Sequence, residues 1–211
     1  MKSPILTAAD LDALSSRTLA NYESSAEQFR EGTRDHDVSQ NVAALLRAIE
    51  GPPPLAILDL GCGPGRDLAH FRSLGHEAIG LDGAAAFVAM AMETGCEVLH
   101  QNFLHLSLPA TRFDGVFANA SLFHVPVQEL GRVLGELRDA LRPRGVLFCS
   151  NPRGQDTAGV YDGRYGAFHT LETWSEHVIA AGFAPIEHYY RPAGKPRAEQ
   201  PWLATVWRKN G

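Results

Sequence analysis

The chain has 211 residues, of which 45% are hydrophobic and 20% charged, with 19 Lys and Arg against 24 Asp and Glu. This length suits one domain that buries about 70% of its unfolded surface, and the composition is typical of a globular chain rather than a disordered one. The net charge of −5 argues against a protein whose main partner is a nucleic-acid phosphate backbone.

The sequence also argues against membrane insertion and secretion. The longest apolar run, residues 84–92, has nine residues, well short of the roughly 20 that cross a bilayer. The amino terminus has no long apolar segment, so we expect no secretory signal. Cys62, Cys96 and Cys149 are odd in number and lack CxxC spacing, which favours reduced thiols and a cytoplasmic protein.

Two helices are predicted before the first strand, over residues 11–29 and 38–49. In the second, apolar residues recur at positions 42, 45, 46 and 49, the spacing of one buried helix face. A Gly-Pro-Pro-Pro run at residues 51–54 then interrupts any helix. We therefore predict an N-terminal helical cap, residues 1–54, followed by a larger unit, residues 55–211, within one compact molecule.

After the prolines, short apolar runs alternate with helical ones. Strands are predicted over residues 55–60, 77–81, 96–100, 113–118 and 145–150, and helices over residues 66–74, 84–93, 127–141 and 170–181, the last with Thr170 as its N-cap. A long loop rich in glycine and tyrosine (residues 152–169) and an antiparallel hairpin (residues 187–191 and 202–208) are predicted to complete the chain. The alternation indicates a doubly wound α/β fold, a mostly parallel seven-stranded sheet with helices on both faces.

A glycine-rich turn follows the first predicted strand. It contains Asp59, Gly61, Gly63 and Gly65, at the carboxyl edge where open α/β sheets bind ligands. Glycines there let the backbone approach a ligand closely. A dinucleotide fingerprint requires GxGxxG, and its third glycine is missing, so a nicotinamide cofactor is disfavoured. Asp82 ends the next strand, where a carboxylate can accept hydrogen bonds from a ribose diol.

The turn and its acidic neighbour resemble the cofactor pocket of class I methyltransferases, a Rossmann-like family that uses S-adenosylmethionine. The resemblance implies that residues 55–211 are the cofactor-binding methyltransferase domain. It places the three glycines at the amino-acid part of the cofactor and Asp82 at its ribose. Asn102 stands where the family often has an acid, and its side-chain carbonyl is expected to face the adenine amino group. The other expected cofactor contacts are Asp59 before the turn, Tyr22, Phe103 and Asn119.

A closer resemblance covers residues 20–208. The stretches EGTRDHDVSQN (residues 31–41), FDGVFANASLFHVP (113–126), SNPRG (150–154) and GRYG (163–166) are similar to the C-terminal methyltransferase domain of the bifunctional enzymes that make ovothiol. In that family the domain methylates the imidazole Nπ of 5-thiohistidine, which an iron-dependent sulfoxide synthase domain has made. This chain has no His-x-x-x-His-x-Glu run for iron, so the resemblance implies a standalone methylating enzyme that works with a separate sulfoxide synthase.

A zwitterionic acceptor of this kind suggests the substrate site. His124, after the fourth predicted strand, is the candidate catalytic residue because it is expected to contact the imidazole. Arg153 and Arg164, in the long loop, are suited to bidentate carboxylate binding. The remaining expected substrate contacts are Phe123, Asn151, Tyr165, His36 and Tyr189.

Several of these residues also have plain structural interpretations. Phe123 and Tyr22 can be packing residues, His36 can lie in a solvated turn, and a lone histidine such as His124 is often structural. No metal site is predicted, since His100 and His105 lack the further ligands that a site needs.

Three functional interpretations remain open besides the ovothiol one. Nucleobase and glutamine amines are disfavoured as acceptors, because the fourth strand ends in NASLFHV and not in the Asn/Asp-Pro-Pro-Tyr/Phe motif of those methyltransferases. A methyltransferase of another small acceptor, either a carboxylate or a hydroxyl, stays possible. So does a cofactor-binding module without catalysis that regulates a partner, and a nicotinamide enzyme is the weakest alternative.

Overall fold

The computed structural model describes residues 5–211, and the first four residues of the expected cap and of the amino terminus lie outside this range. The helices are α1 (Ala8–Ser24), α2 (Ala26–Thr33), α3 (Ser39–Ala48), α4 (Arg66–Ser73), α5 (Ala85–Met92), α6 (Val127–Ala140) and α7 (Leu171–Ala180). The strands are β1 (Ala56–Leu60), β2 (Glu77–Asp82), β3 (Glu97–His100), β4 (Phe113–Asn119), β5 (Leu141–Pro152), β6 (Thr157–Tyr161), β7 (Arg164–Phe168), β8 (Phe183–Arg191) and β9 (Trp202–Lys209).

Seven of the strands form one sheet in the order β3-β2-β1-β4-β5-β9-β8. Strands β1 to β5 pair in parallel, while β9 runs antiparallel to both β5 and β8. This sheet confirms the predicted doubly wound α/β class, and β8 with β9 confirms the predicted terminal hairpin. The order reverses between β1 and β4, which is where open sheets of this kind bind their ligands.

Successive residues of the central strands point to two separate cores. Leu58 and Leu60 of β1 pack in the core beneath α6 and α7, whereas Ile57 packs in the core beneath α3 and α4. Because helices cover both faces, β1 is buried along its whole length. No helix within residues 5–211 is long and apolar enough to cross a membrane.

The three helices that precede β1 pack in two different places. α3 lies on the sheet, with Val42 and Leu45 in the core there. From α2, by contrast, Ala26 joins a small cluster with Phe87 and Met90 of α5, beside the carboxyl edge. The division of the chain at residue 54 stays a prediction.

The helix expected over residues 11–29 is two helices. The break is at Ser25, where φ is −121° and ψ is 16°. The hydroxyls of Ser24 and Ser25 both donate to the carbonyl of Asn21, each at 2.9 Å, and such local bonds compete with the helical ladder. The break brings Tyr22 and Phe29 edge to face at 5.6 Å, where the sequence suggested one continuous stripe.

The prediction of a long loop over residues 152–169 is wrong, because β6 and β7 form a hairpin within this range. Asp162 and Gly163 make its turn with φ values of 48° and 81°, which is the backbone that Asp-Gly favours in two-residue hairpins. The hairpin is tied to α1, since the Tyr165 N–H donates to the Thr18 hydroxyl at 2.9 Å and Asn21 donates to the Asp162 carbonyl at 3.1 Å.

Gly65 offers a test of how tightly the glycine turn is packed. Its φ is +90°, and a Cβ there would lie 2.8 Å from the Ala91 Cα on α5, whereas Gly75 has a φ of +84° with nothing within 4 Å. We expect Gly75→Ala to cost about 1–2 kcal/mol from the backbone conformation alone. Gly65→Ala should cost roughly 1–3 kcal/mol more, because α4 and α5 must separate.

The free energies of unfolding of both variants would be measured by denaturant titration against the unsubstituted chain. Equal losses for the two variants would contradict the close packing of the turn on α5.

Candidate active site

A large cavity lies at the carboxyl edge of β1, β2 and β4. Its volume is about 870 Å³, near the upper end of the roughly 300–1,000 Å³ that ligand pockets span. The glycine turn and the strand ends form its floor, and α1, α2 and the β6–β7 hairpin form its roof. A cavity of this volume can hold two small molecules against each other.

The glycine turn leaves bare backbone facing this cavity. At Gly61, where φ is +74°, a Cβ would lie 2.5 Å from the Cβ of Ser121, so no side chain fits. The Gly63 N–H donates to the Asp82 carboxylate at 2.9 Å, which draws the turn onto the end of β2. Both glycines line the cavity, and their contact with a cofactor stays a prediction.

Gly65 of the turn and Asp59 of β1 do not line the cavity. Gly65 faces α5, as its close approach to Ala91 shows. Asp59 is 2% exposed and lies behind the turn, where burial and then the nearby Asp67 carboxylate raise its pKa well above the usual range. The direct cofactor contacts expected for Gly65 and Asp59 are therefore corrected. Both residues support the turn from behind.

Asp82 is placed to hold a ligand hydroxyl. Its carboxylate is buried, lines the cavity, and accepts from the Gly63 and Ala84 N–H groups, each at 2.9 Å. Burial raises its pKa, and the two N–H groups oppose that rise. A carboxylate has about four acceptor positions, so two N–H donors leave capacity for a diol.

Asn102 lines the cavity but cannot act as the sequence suggested. Its side-chain carbonyl accepts from the Ser15 hydroxyl and the Leu104 N–H, each at 2.9 Å, and these two bonds use both lone pairs of that oxygen. The structure therefore gives this carbonyl oxygen two protein partners in place of the expected adenine amino group. Phe103 is in the lining beside Gly61, where its ring offers an apolar wall.

Asn119, at the end of β4, belongs to a buried polar network. It donates to Asp67 at 3.1 Å and accepts from Asn41 at 2.9 Å. Asp67 also receives two bonds from Arg66, at 2.7 and 3.0 Å. The network joins α3, α4 and β4, so it sets where Asn119 and the start of α4 stand.

Tyr189 is the far end of that network and not a substrate contact. Its hydroxyl donates to the Asn41 carbonyl at 2.9 Å, which places it outside the cavity lining. Sequence reasoning missed both Asn41 and Asp67. Asp67 is the second residue after Gly65, which could have drawn attention to it, whereas nothing in the sequence marks Asn41.

His124 lies in the cavity wall on a short turn after β4. Its Nδ1 is 2.5 Å from the Tyr165 carbonyl oxygen and its Nε2 is 2.7 Å from the Tyr22 hydroxyl. Burial lowers the pKa of His124 to about 4, and the Arg164 charge lowers it further, against the opposing Tyr165 bond. The ring is therefore neutral at pH 7, with its proton on Nδ1 because a carbonyl can only accept.

Arg164 is a cation close to this histidine. Its Nη1 is 3.3 Å from the Tyr22 hydroxyl oxygen, and its guanidinium carbon is 5.1 Å from the centre of the Tyr22 ring. Among residues 5–211 no carboxylate forms an ion pair with Arg164, so its charge is available to a ligand in the cavity that it lines. The Tyr165 hydroxyl accepts from the Val127 N–H at 3.3 Å, so Tyr165 acts mainly through its backbone.

The remaining predicted substrate residues divide into two groups. His36 and Phe123 line the cavity, and the Phe123 ring lies 3.9 Å from that of His124, centre to centre. Arg153 and Asn151 do not line it. Arg153 donates to the Arg197 carbonyl at 2.9 Å, and Asn151 is buried within β5, so the substrate contacts expected for them are corrected.

Several polar residues of the lining were absent from the predicted site. They are Thr18, Asp35, Asp37, Asp67, Ser121, Asp162 and Arg191. Arg191 donates to the Asp37 carbonyl at 2.5 Å, which ties the end of β8 to the loop after α2. Within the described chain, no group of three His, Cys, Asp or Glu side chains could hold a metal ion, and all three cysteines are free.

Parts of this chain are similar to known methyltransferases. Residues 57–145 match the model of a methyltransferase domain family. The malonyl-[acyl-carrier protein] O-methyltransferase of Yersinia pestis is 30% identical over 138 residues, which cover 64% of this chain and 47% of that protein. The trans-aconitate 2-methyltransferase of Azoarcus is 35% identical over 103 residues, covering 47% of this chain and 40% of that one. The chain thus spans less than half the length of these curated relatives.

A solved structure matches over the whole chain. It is the 1,6-didemethyltoxoflavin-N1-methyltransferase of Burkholderia thailandensis with bound S-adenosylhomocysteine, with a TM-score of 0.79 and 24% identity, covering 100% of this chain and 94% of that one. At this identity the likeness shows the fold, and the acceptor has to be argued from the site itself. Residues 57–145 therefore match a methyltransferase domain family, and the whole chain shares the fold of this solved structure.

Proposed function

We propose that this chain is a small-molecule N-methyltransferase that methylates the imidazole Nπ of 5-thiohistidine to form ovothiol, in the cytoplasm. The observation that carries the enzyme activity is one cavity with a bare glycine turn and Asp82 on one side and His124 and Arg164 on the other. The choice of 5-thiohistidine as the acceptor rests on the resemblance over residues 20–208 and on the charges in the roof. A separate sulfoxide synthase would supply the 5-thiohistidine.

The floor of the cavity fits the cofactor. Gly61 has no room for a Cβ, so its backbone can lie against the amino-acid part of a ligand, and Asp82 retains acceptor capacity for ribose hydroxyls. When bound, S-adenosylmethionine supplies a methyl carbon that bonds to an acceptor lone pair while its carbon–sulfur bond breaks. The chain has to align the two molecules and exclude water.

The roof fits a zwitterionic amino acid. Arg164 has no ion-pair partner among the described residues, so it can hold a carboxylate in two hydrogen bonds. Asp35, Asp37 and Asp162 line the same cavity and offer partners for an ammonium group. An imidazole with an ordinary pKa near 6.5 is largely neutral at pH 7 and already nucleophilic, so the site needs no strong base.

A carboxylic acid is the second candidate acceptor. The Yersinia and Azoarcus relatives are named for methyl transfer to malonyl-[acyl-carrier protein] and to trans-aconitate. Arg164 would hold one carboxylate of a diacid as readily as that of an amino acid, and the neutral His124 would not repel it. The two candidates differ in the nucleophilic atom, nitrogen or oxygen.

The acceptor is tested by offering the protein 5-thiohistidine, histidine and trans-aconitate separately, each with S-adenosylmethionine. We expect a gain of one methyl group on 5-thiohistidine alone, detected by mass spectrometry and located at Nπ by NMR. Turnover of trans-aconitate alone would establish the carboxylate alternative. Binding of S-adenosylhomocysteine with no turnover of any acceptor would favour a regulatory module instead.

Asp82→Asn tests the cofactor side of the cavity. The amide keeps one oxygen but removes the negative charge, and its NH2 group faces the N–H donors of Gly63 or Ala84. Hydrogen bonds to a charged acceptor are therefore lost. We expect the dissociation constant for S-adenosylhomocysteine to rise roughly 10- to 100-fold by calorimetry. Asp139→Asn, at an exposed position of α6 where the carboxylate pairs with Arg138, is the matched control. Equal affinities for both variants would remove Asp82 from the binding site.

Arg164→Gln tests the acceptor side. Because the guanidinium is expected to bind the carboxylate by charge-assisted hydrogen bonds, the KM for the acceptor should rise roughly 10- to 100-fold. Arg153→Gln is the matched control, since Arg153 lies outside the cavity lining. Steady-state kinetics at saturating S-adenosylmethionine would measure both. A larger effect at Arg153 would restore the sequence-based prediction and refute the structural one.

A further inference from the structure

Four groups beside the cavity form a chain of hydrogen bonds with a fixed direction. The Tyr165 carbonyl oxygen can only accept, so Nδ1 of His124, at 2.5 Å, must donate. In the neutral ring Nε2 then carries a lone pair and accepts from the Tyr22 hydroxyl, at 2.7 Å. The hydroxyl proton of Tyr22 is therefore directed at His124 and not into the cavity.

The Tyr22 oxygen keeps acceptor capacity on its other side. A hydroxyl oxygen has two lone pairs, and Arg164 donates to this oxygen at 3.3 Å. One lone pair remains for a ligand in the cavity that Tyr22 lines. Toward that ligand Tyr22 offers only an acceptor.

The surroundings hold the Tyr22 hydroxyl in its neutral form. Phe29 and Phe87 each lie 5.6 Å from its ring, centre to centre. Burial raises the pKa of Tyr22, the nearby Arg164 lowers it, and Asp82 raises it slightly. With His124, these are the charged and titratable groups that face the hydroxyl from α1, β2, β7 and the turn after β4, and none makes it a phenolate at pH 7.

We propose that Tyr22 is the residue that accepts a hydrogen bond from the methyl acceptor, and that His124 is a positioning residue that holds the Tyr22 hydroxyl in that orientation. This inference rests on the proposed methyl transfer in this cavity. It reverses the roles that the sequence suggested, in which His124 contacted the acceptor and Tyr22 the cofactor. The carboxylate of the cofactor would need a donor, and the Tyr22 proton is already given to His124.

The arrangement specifies the class of acceptor. It must carry an N–H or O–H group on an atom other than the one that is methylated. For a neutral imidazole, an N–H that donates to Tyr22 leaves the lone pair on the second ring nitrogen, the one that is to be methylated. The N–H stays on the methylated ring until the product is released, and its proton then passes to water. Tyr22 and His124 therefore undergo no net change.

The kinetic test compares three variants under saturating S-adenosylmethionine, with the acceptor that the methyl-transfer assay identifies. Tyr22→Phe should lower kcat roughly 10- to 100-fold, because a bond to the developing cationic ring is lost. It should leave the Kd for S-adenosylhomocysteine within about twofold. His124→Leu should lower kcat similarly, whereas His124→Gln, whose carbonyl can accept from the Tyr22 hydroxyl, should recover most of it.

The same variants can overturn the proposal. An unchanged kcat in Tyr22→Phe would refute it, as would a raised Kd for S-adenosylhomocysteine with normal kcat, which would show that Tyr22 binds the cofactor. Loss of activity in His124→Gln equal to that in His124→Leu would show that the imidazole itself is needed, and His124 would be the catalytic residue.

A measurement that needs no turnover separates this proposal from the proposed function. In the ¹⁵N-histidine NMR spectrum of the complex with S-adenosylhomocysteine, His124 should have its proton on Nδ1 and titrate near pH 4. Its Nε2 resonance should shift in Tyr22→Phe. A proton on Nε2 at pH 7 would refute the direction of the hydrogen bonds whatever the enzyme methylates. The expected spectrum without turnover of any acceptor would refute the proposed function and leave that direction standing.

Discussion

The hydrogen bond from the Gly63 backbone to the Asp82 carboxylate shapes the floor on which the rest of the site depends. It joins the turn after β1 to the end of β2, and so fixes both the bare backbone at Gly61 and the carboxylate beside it. Burying Asp82 is costly, as its raised pKa shows, and the Gly63 and Ala84 N–H groups offset part of that cost. The same bonds that make the buried carboxylate tolerable therefore aim its free acceptor positions at a ligand.

A small number of hydrogen bonds also holds the roof in place. The β6–β7 hairpin has its Tyr165 N–H on Thr18 of α1 and its Tyr165 carbonyl on His124. One residue of the hairpin therefore contacts α1 within the roof on one side and the wall on the other. Since the second of these bonds also sets the tautomer of His124, the position of the roof and the polarity of the Tyr22 hydroxyl depend on each other.

Sequence pattern predicted the fold well, because the alternation of apolar runs reflects two buried faces of one sheet. The same pattern indicated where the floor lies, since Gly61 and Gly63 come shortly after the end of β1 and Asp82 ends β2. It failed where the outcome depends on partners distant in sequence. Arg153 and Arg164 were equivalent in the sequence, yet only Arg164 reaches the cavity, and the saturation of the Asn102 carbonyl depends on Ser15. The missed β6–β7 hairpin is a different case, because Asp162-Gly163 is a recognisable local signal for a two-residue hairpin turn.

The floor and the roof also differ in whether the family model covers them. The family match runs from residue 57 to residue 145, a range that contains the glycine turn, Asp82 and His124. Tyr22 on α1 and Arg164 on β7 lie outside that range. Methyl transfer needs the same cofactor geometry for any acceptor, whereas the acceptor is recognised by the groups that close over it. Proteins that share the matched range can therefore differ in substrate through their roofs, and Tyr22 and Arg164 are the residues by which this chain would select its own.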